Sequence, residues 1–268
     1  MNSHTLGCFG FVSLLAIAGC GAVGAPEEAL NVDAIQPALA VSLGGLVGTQ
    51  DYSDTFTVGG ARPDRLHDDN HGGAYTVESV PSVLWQPQSH FSFNTPGSSG
   101  DPGRVGAASG NTGAWSGLAQ SGGSDFSIAY GKRQNYTVQA DAILPDDRFD
   151  ISSLPYAGAP ISTGSSLSVF FRRNGTGLPG IGLYNGTKET DIGVKTGITD
   201  SNWHNFAVNF DQVKGRLVIF VDGVQKADLD LASFAGGAYR YYSNAAVGMG
   251  VSAERNVLWA DNFIVGAP

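Results

Sequence analysis

His67, Asp68, Asp69, Asn70 and His71 form the densest run of potential metal ligands in the chain. Two imidazoles and two carboxylates within five residues have the chemistry of a zinc site. The run leads into Gly72 and Gly73, however, and Asp and Asn in such a setting bond their own backbone, so HDDNHGG reads first as a polar turn. His204 alternates with Phe206 and Val208 and reads as a satisfied residue at a strand end. Nucleophiles are scarce: no Gly-x-Ser-x-Gly elbow stands between a strand and a helix, and both cysteines, Cys8 and Cys20, precede the part that can fold. Thiol catalysis is thereby excluded from the mature domain. No Gly-rich loop opens a helix, so nucleotide cradling has no support.

The elements available to position side chains are strands. In YTVQADAIL at 136–144, Tyr136, Val138, Ala140, Ala142 and Leu144 share one face, while Thr137, Gln139 and Asp141 share the other. LSVFF at 167–171 leads through Arg172 and Arg173 to Asn174-Gly175, and GIGLY at 180–184 ends at Asn185-Gly186. Asn-Gly pairs between apolar runs predict hairpins, because type I′ turns need positive φ at both central residues. WHNFAVNF at 203–210, RLVIFVDG at 216–223, VQKADLDL and a closing VLWADNFIV at 257–265 complete the strand set. SFAGGAYRYYS is the expected irregular stretch, and residues 95–124, rich in Gly, Ser, Ala and Asn, read as a long loop.

Composition agrees. Of 268 residues only 15% are charged, against 38 Gly and 10% aromatics, which suits many strands joined by tight turns. The net charge of −9, with no basic run, opposes nucleic acid as a partner. Near the N-terminus, Phe9 to Ala18 is apolar but too short to span a bilayer, as in a signal peptide. Ile17, Ala18, Gly19 and Cys20 resemble the bacterial lipobox, which implies lipidation at Cys20 and a place in the cell envelope, as an outer-membrane or cell-surface lipoprotein held to the membrane by its anchor alone. The n-region carries no Lys or Arg, and cleavage near Ala25 to give a secreted protein is the alternative. Residues 1–20 are thus assigned to the signal, 21–47 to a tether and 48–268 to one domain.

NWHNFAVNFDQVKGRLVIFVDGVQKADLDL resembles a strand pair of laminin-G-like domains, VLWADNFIV resembles their last strand, and DYSDTF at 51–56 resembles their first. The resemblance implies an all-β fold, a two-sheet antiparallel jelly-roll sandwich of the concanavalin A-like type. That fold hosts lectins, lyases, glycosidases and adhesion modules, so function must come from a site.

Laminarinase-type enzymes of this fold place paired carboxylates on a cleft strand, as retaining hydrolysis requires. The corresponding stretch by strand order, SLSVFFRRN at 166–174, has none. The expected site is therefore a non-catalytic one for a polysaccharide or cell-surface glycan, made of Gln139 and Asp141 from the preceding strand, Arg172, and Tyr184 from the following one, with Trp85 or Trp115 stacking on sugar at the rim. The alternatives are a polysaccharide lyase, in which Arg and Gln neutralise a uronate while Tyr moves a proton, and a structural or adhesion module without glycan affinity. The lyase motifs Arg-x-Glu-x-Arg and Gln-Ile-His are absent. By the same resemblance, Asp51, Asp54 and Asp261 are candidate ligands for a structural Ca²⁺ joining the first and last strands.

Overall fold

The computed structural model describes residues 40–43, 46–56, 75–76, 79, 84–85, 92–94, 104–106, 124–130, 133–144, 148–156, 164–175, 177, 179–252 and 259–268. The chain divides into a unit Met1–Gln36, wholly outside those residues, and a unit Pro37–Pro268. Cys20, the signal segment, HDDNHGG and Trp115 lie outside the described residues.

The described residues form seventeen strands, no α-helix and one 3-10 turn, Phe234–Gly237, within the stretch expected to be irregular. A nine-stranded sheet has the order β1 (Ala40–Leu43), β2 (Leu46–Asp54), β17 (Trp259–Ala267), β8 (Asn135–Ile143), β13 (Trp203–Asp211), β14 (Arg216–Val221) and β15 (Val224–Asp230). Two short strands, β5 (Ser92–Asn94) and β6 (Arg104–Gly106), join it beside β17. A six-stranded sheet has the order β12 (Glu189–Asp191), β11 (Ile181–Tyr184), β10 (Leu167–Arg172), β9 (Arg148–Leu154), β16 (Ala246–Ser252) and β7 (Ser124–Ala129). β3 (Tyr75–Thr76) and β4 (Leu84–Trp85) form a separate pair. Both large sheets are antiparallel throughout, and the chain alternates between them. This is the two-sheet antiparallel sandwich that the alternating pattern predicts.

The core lies between the sheets because each strand turns alternate residues inward. On β8, Tyr136, Val138, Ala140 and Ala142 are fully buried, whereas Gln139 and Asp141 are half-buried on the other face. Across the core, Phe206 of β13 packs against Phe149 of β9 and Phe171 of β10, with ring centroids 5.4 and 4.8 Å apart. Each such ring contributes roughly 1.5–3 kcal/mol through burial. The Tyr136 hydroxyl donates to Ser153 Oγ at 2.8 Å, so the one polar tip of that core residue is matched from the opposite sheet.

Several details differ from expectation. Among the described residues the first strand starts at Ala40, within the stretch 21–47 of which part could pack as a first strand, and β6 lies inside the stretch read as a long loop. β7, β9, β12 and β16 were not anticipated. The two Asn-Gly pairs are not type I′ turns: Gly175 and Gly186 have φ of 92° and 94°, but Asn174 and Asn185 are absent from the residues with positive φ. The turn that meets the requirement is Asp222-Gly223, with φ of 51° and 72°, between β14 and β15.

Candidate functional site

The four side chains expected to share one cleft are divided between the sheets. Gln139 and Asp141 are on β8, Arg172 on β10 and Tyr184 on β11. All four alternate with core residues and so point away from the core. Two sheets packed core to core turn these side chains to opposite outer surfaces, and one ligand cannot touch both pairs. The expectation failed because β9 intervenes: between Ile143 and Arg148 the chain crosses to the other sheet, and β10 pairs with β9 and β11 rather than with β8.

On the nine-stranded sheet, Asp141 is consumed by structure. Its two carboxylate oxygens accept from Asn205 Nδ2 of β13 at 2.8 Å and from Asn262 Nδ2 of β17 at 2.9 Å. Gln139 lies beside it, in register with Ala207 and Ile264. Trp85 belongs to β4, where its backbone pairs with Tyr75.

The outer face of the six-stranded sheet carries a denser polar group than the sequence suggested. Arg148 and Arg172 are direct cross-strand partners on β9 and β10. Asp150 Oδ1 accepts from Arg148 Nε at 2.9 Å, Arg148 Nη2 at 2.7 Å and Ser168 Oγ at 2.7 Å. Glu189 of the edge strand β12 reaches both cations: Oε1 accepts from Arg148 Nη1, and Oε2 is 3.5 Å from Arg172 Nη2. Both guanidinium carbons lie against the ring of Phe170, 4.1 Å from its centroid for Arg148 and 4.5 Å for Arg172, and Arg148 is 5.9 Å from the Tyr184 ring. Phe170 faces away from the core, yet it is fully buried under these groups. Its ring also lies over Gly182, where a Cβ would stand 2.2 Å from Phe170 Cζ.

The turn between β11 and β12 is held from outside the sheet, which fixes Tyr184 and Glu189. Asn185 Oδ1 accepts from the backbone N–H groups of Thr187 and Lys188, and its Nδ2 donates to the Ala238 carbonyl at 3.1 Å. The Tyr239 hydroxyl bonds Thr190 Oγ1 at 2.6 Å and lies 3.0 Å from the Lys188 carbonyl. The irregular stretch after β15 is therefore a buttress for this edge.

Burial, and after it the Arg148 charge, lowers the Arg172 pKa, with Glu189 opposing. Burial raises the Tyr184 pKa, Arg148 opposes that shift and Glu189 adds to it. Asp150 has three donors converging on one oxygen, and Glu189 faces two guanidinium groups. Chemically the face offers planar donors, a half-buried phenol and an aromatic plate. Sequence reasoning found Arg172 and Tyr184 but missed Arg148, Asp150, Phe170 and Glu189. The signal that would have found the first two is the Arg-x-Asp spacing, which puts both side chains on one strand face.

The three expected calcium ligands, Asp51, Asp54 and Asp261, each accept hydrogen bonds from protein donors. Asp51 accepts from the Tyr130 hydroxyl at 2.7 Å and from Arg133 Nη2 at 2.9 Å, and a guanidinium on a carboxylate opposes a second cation there. Asp54 Oδ1 takes the Phe56 N–H, and Asp261 Oδ1 takes the Asn262 N–H, both at 2.7 Å. Among the described residues no three His, Cys, Asp or Glu side chains are grouped to hold a metal.

No family model matches the chain, and no curated protein matches it. Among solved structures it is similar to lectin II from Ulex europaeus, at 12% identity over 74% of this chain and 99% of that one, with a TM-score of 0.41. It is also similar to a lectin from Bauhinia forficata in complex with GalNAc, at 12% identity over 73% and 97% of the two chains, with a TM-score of 0.38. A protein with a galectin-like fold from Bacillus subtilis gives 11% identity over 68% and 89%, with a TM-score of 0.41.

Proposed function

We propose that this chain is an extracytoplasmic protein that binds a carbohydrate without cleaving it, through the outer face of the six-stranded sheet at Arg172, Tyr184 and Glu189. The observation that carries the reading is the placement of Arg172 and Tyr184 on adjacent strands of one outward face, both half-buried, with Arg172 over the Phe170 ring and Tyr184 beside Arg148. Planar donors beside an aromatic ring can hydrogen-bond sugar hydroxyls and cover a C–H face at once. The carboxylates on this face are occupied by guanidinium and hydroxyl donors, which supports binding over acid–base chemistry. The two-sheet strand order, with β2 beside β17, fits the concanavalin A-like type. Trp115, outside the described residues, remains the proposed rim aromatic, whereas Trp85 on β4 neighbours β7, at the edge of this sheet opposite β12.

A glycan array followed by product analysis tests the reading. Binding should weaken in Arg172→Ala and Tyr184→Ala and vanish in the double variant. Binding that survives the double variant overturns the site, and unsaturated or shortened products overturn the non-catalytic part in favour of a lyase or hydrolase. The proposed lipid anchor on Cys20 predicts a lipidated mature N-terminus by mass spectrometry; an unmodified terminus near Pro26 removes it.

A further inference from the structure

Building on the proposed glycan site, we infer that Glu189 occupies the position of an acid group belonging to the ligand, so that the site takes a sugar bearing a carboxylate or sulfate, which binds by displacing Glu189 from Arg172.

The two cations of this face are held unequally. Arg148 is locked by the carboxylate of Asp150, which accepts from both Nε and Nη2, and its side chain is only 7% exposed. That grip does not depend on Glu189. Arg172 is paired with Glu189 at 3.5 Å, beyond the 2.7–2.9 Å typical of a charge-assisted bond. Its guanidinium carbon lies 4.5 Å from the centroid of the Phe170 ring, a contact that positions it independently of its carboxylate partner.

Glu189 is the most exposed charged member of the group, although Arg148 Nη1 also donates to it. Its side chain is 39% exposed, and it begins a three-residue edge strand. The strand itself is pinned by Tyr239 on Thr190 and by Asn185 on the turn, so the carboxylate can swing out without unpairing β12 from β11. A carboxylate or sulfate ester presents the same oxyanion to the same guanidinium fork. Tyr184, in register with Glu189, then lies beside the sugar that carries the acid. Removing Glu189 leaves Arg172 without the carboxylate it is paired with, while Arg148 keeps Asp150, so an external anion can take the place beside Arg172.

Calorimetric titrations of the folded chain with inorganic sulfate, a uronate oligosaccharide, a sulfated oligosaccharide and a neutral counterpart test this. At low ionic strength Glu189→Gln is expected to bind sulfate about tenfold more tightly than the unsubstituted chain, with the gain shrinking as salt is added. Glu189→Asp, too short to span to Arg148 and Arg172, is expected to show a smaller gain, and Arg172→Ala with Glu189→Gln none. The acidic oligosaccharide should bind more tightly than the neutral one, and whichever of uronate or sulfate prevails names the acid group. Equal or weaker sulfate binding in both folded Glu189 variants overturns the inference. If a neutral glycan binds at Arg172 and Tyr184 without regard to Glu189, the inference fails and the glycan reading stands; if sulfate binding rises but no glycan binds, the glycan reading fails instead.

Discussion

His204 Nδ1 lies 2.8 Å from Asp222 Oδ2, while the opposite ring nitrogen, Nε2, lies 2.9 Å from Asp200 Oδ1. Both nitrogens can donate only in the imidazolium form, so the geometry selects the charged ring. Partial burial by itself would lower the His204 pKa, but the hydrogen bonds to Asp200 and Asp222 outweigh it, and the net shift is upward from 6.5. The group ties the start of β13 to the turn between β14 and β15, since Asp222 Oδ1 also accepts the Asn205 N–H at 2.9 Å.

A raised folded pKa gives stability that is fully present below the unfolded value of 6.5 and is lost as pH rises through the folded one. Thermal unfolding of His204→Gln should therefore fall below that of the unsubstituted chain by roughly 2–4 °C at pH 5.5, a contribution discounted for the exposure of both carboxylates, and the gap should narrow towards alkaline pH. A gap that is constant across pH would show that the ion pairs do not act as drawn.

Gly182 is where the candidate site constrains the backbone of the sheet. Beyond the 2.2 Å approach to Phe170 Cζ, an added Cβ would meet the Thr190 carbonyl oxygen at 2.7 Å. Gly182→Ala should push Phe170 from beneath Arg148 and Arg172 and cost about 1–3 kcal/mol in denaturant unfolding. Unchanged stability would mean that the ring is free to move and is not the plate on which both cations rest.

What was legible in the sequence follows from where side chains alternate cleanly. β8 is apolar on one face and largely polar on the other, and the existence of β8, β13 and β14 and the pairing of β13 with β14 could be anticipated. β9, RFDISSL, is buried on both faces, because Arg148 and Asp150 neutralise each other outside while Phe149 and Ile151 fill the core. Its period is therefore hidden by charge. β16, AVGMGVS, turns Val247 and Met249 inward and carries Gly248 and Gly250 at the alternate positions, so the residues that mark turns elsewhere here belong to a strand. Missing β9 removed the crossover, and without it Gln139 and Asp141 fell on the wrong sheet relative to Arg172. Periodicity says which face a residue takes; it does not say which sheet the strand joins.

Asp51 bears on the calcium expectation. With Tyr130 and Arg133 both donating to it, Asp51→Ala would leave a buried phenol and a guanidinium without their acceptor, at a cost of about 2–4 kcal/mol. Because this carboxylate serves a protein cation, chelation followed by metal removal should leave the melting temperature unchanged. A drop restored by Ca²⁺ would reinstate an ion between β2 and β17.

The two outer faces can be told apart by one pair of variants. Asp141 bridges Asn205 and Asn262, and Asn262 holds a left-handed φ of 47° at the irregularity in the β17 pairing. Asp141→Ala strands two amides and should cost about 1–3 kcal/mol of stability. Glycan affinity should be untouched, since Arg172 and Tyr184 lie on the opposite outer surface. Arg172→Ala should do the reverse, reducing affinity with a smaller change in unfolding. Sharing no partner, the two substitutions should add within about 0.5 kcal/mol in unfolding experiments. Loss of glycan binding in a folded Asp141→Ala variant would move the site to the nine-stranded sheet and overturn its assignment to β10, β11 and β12.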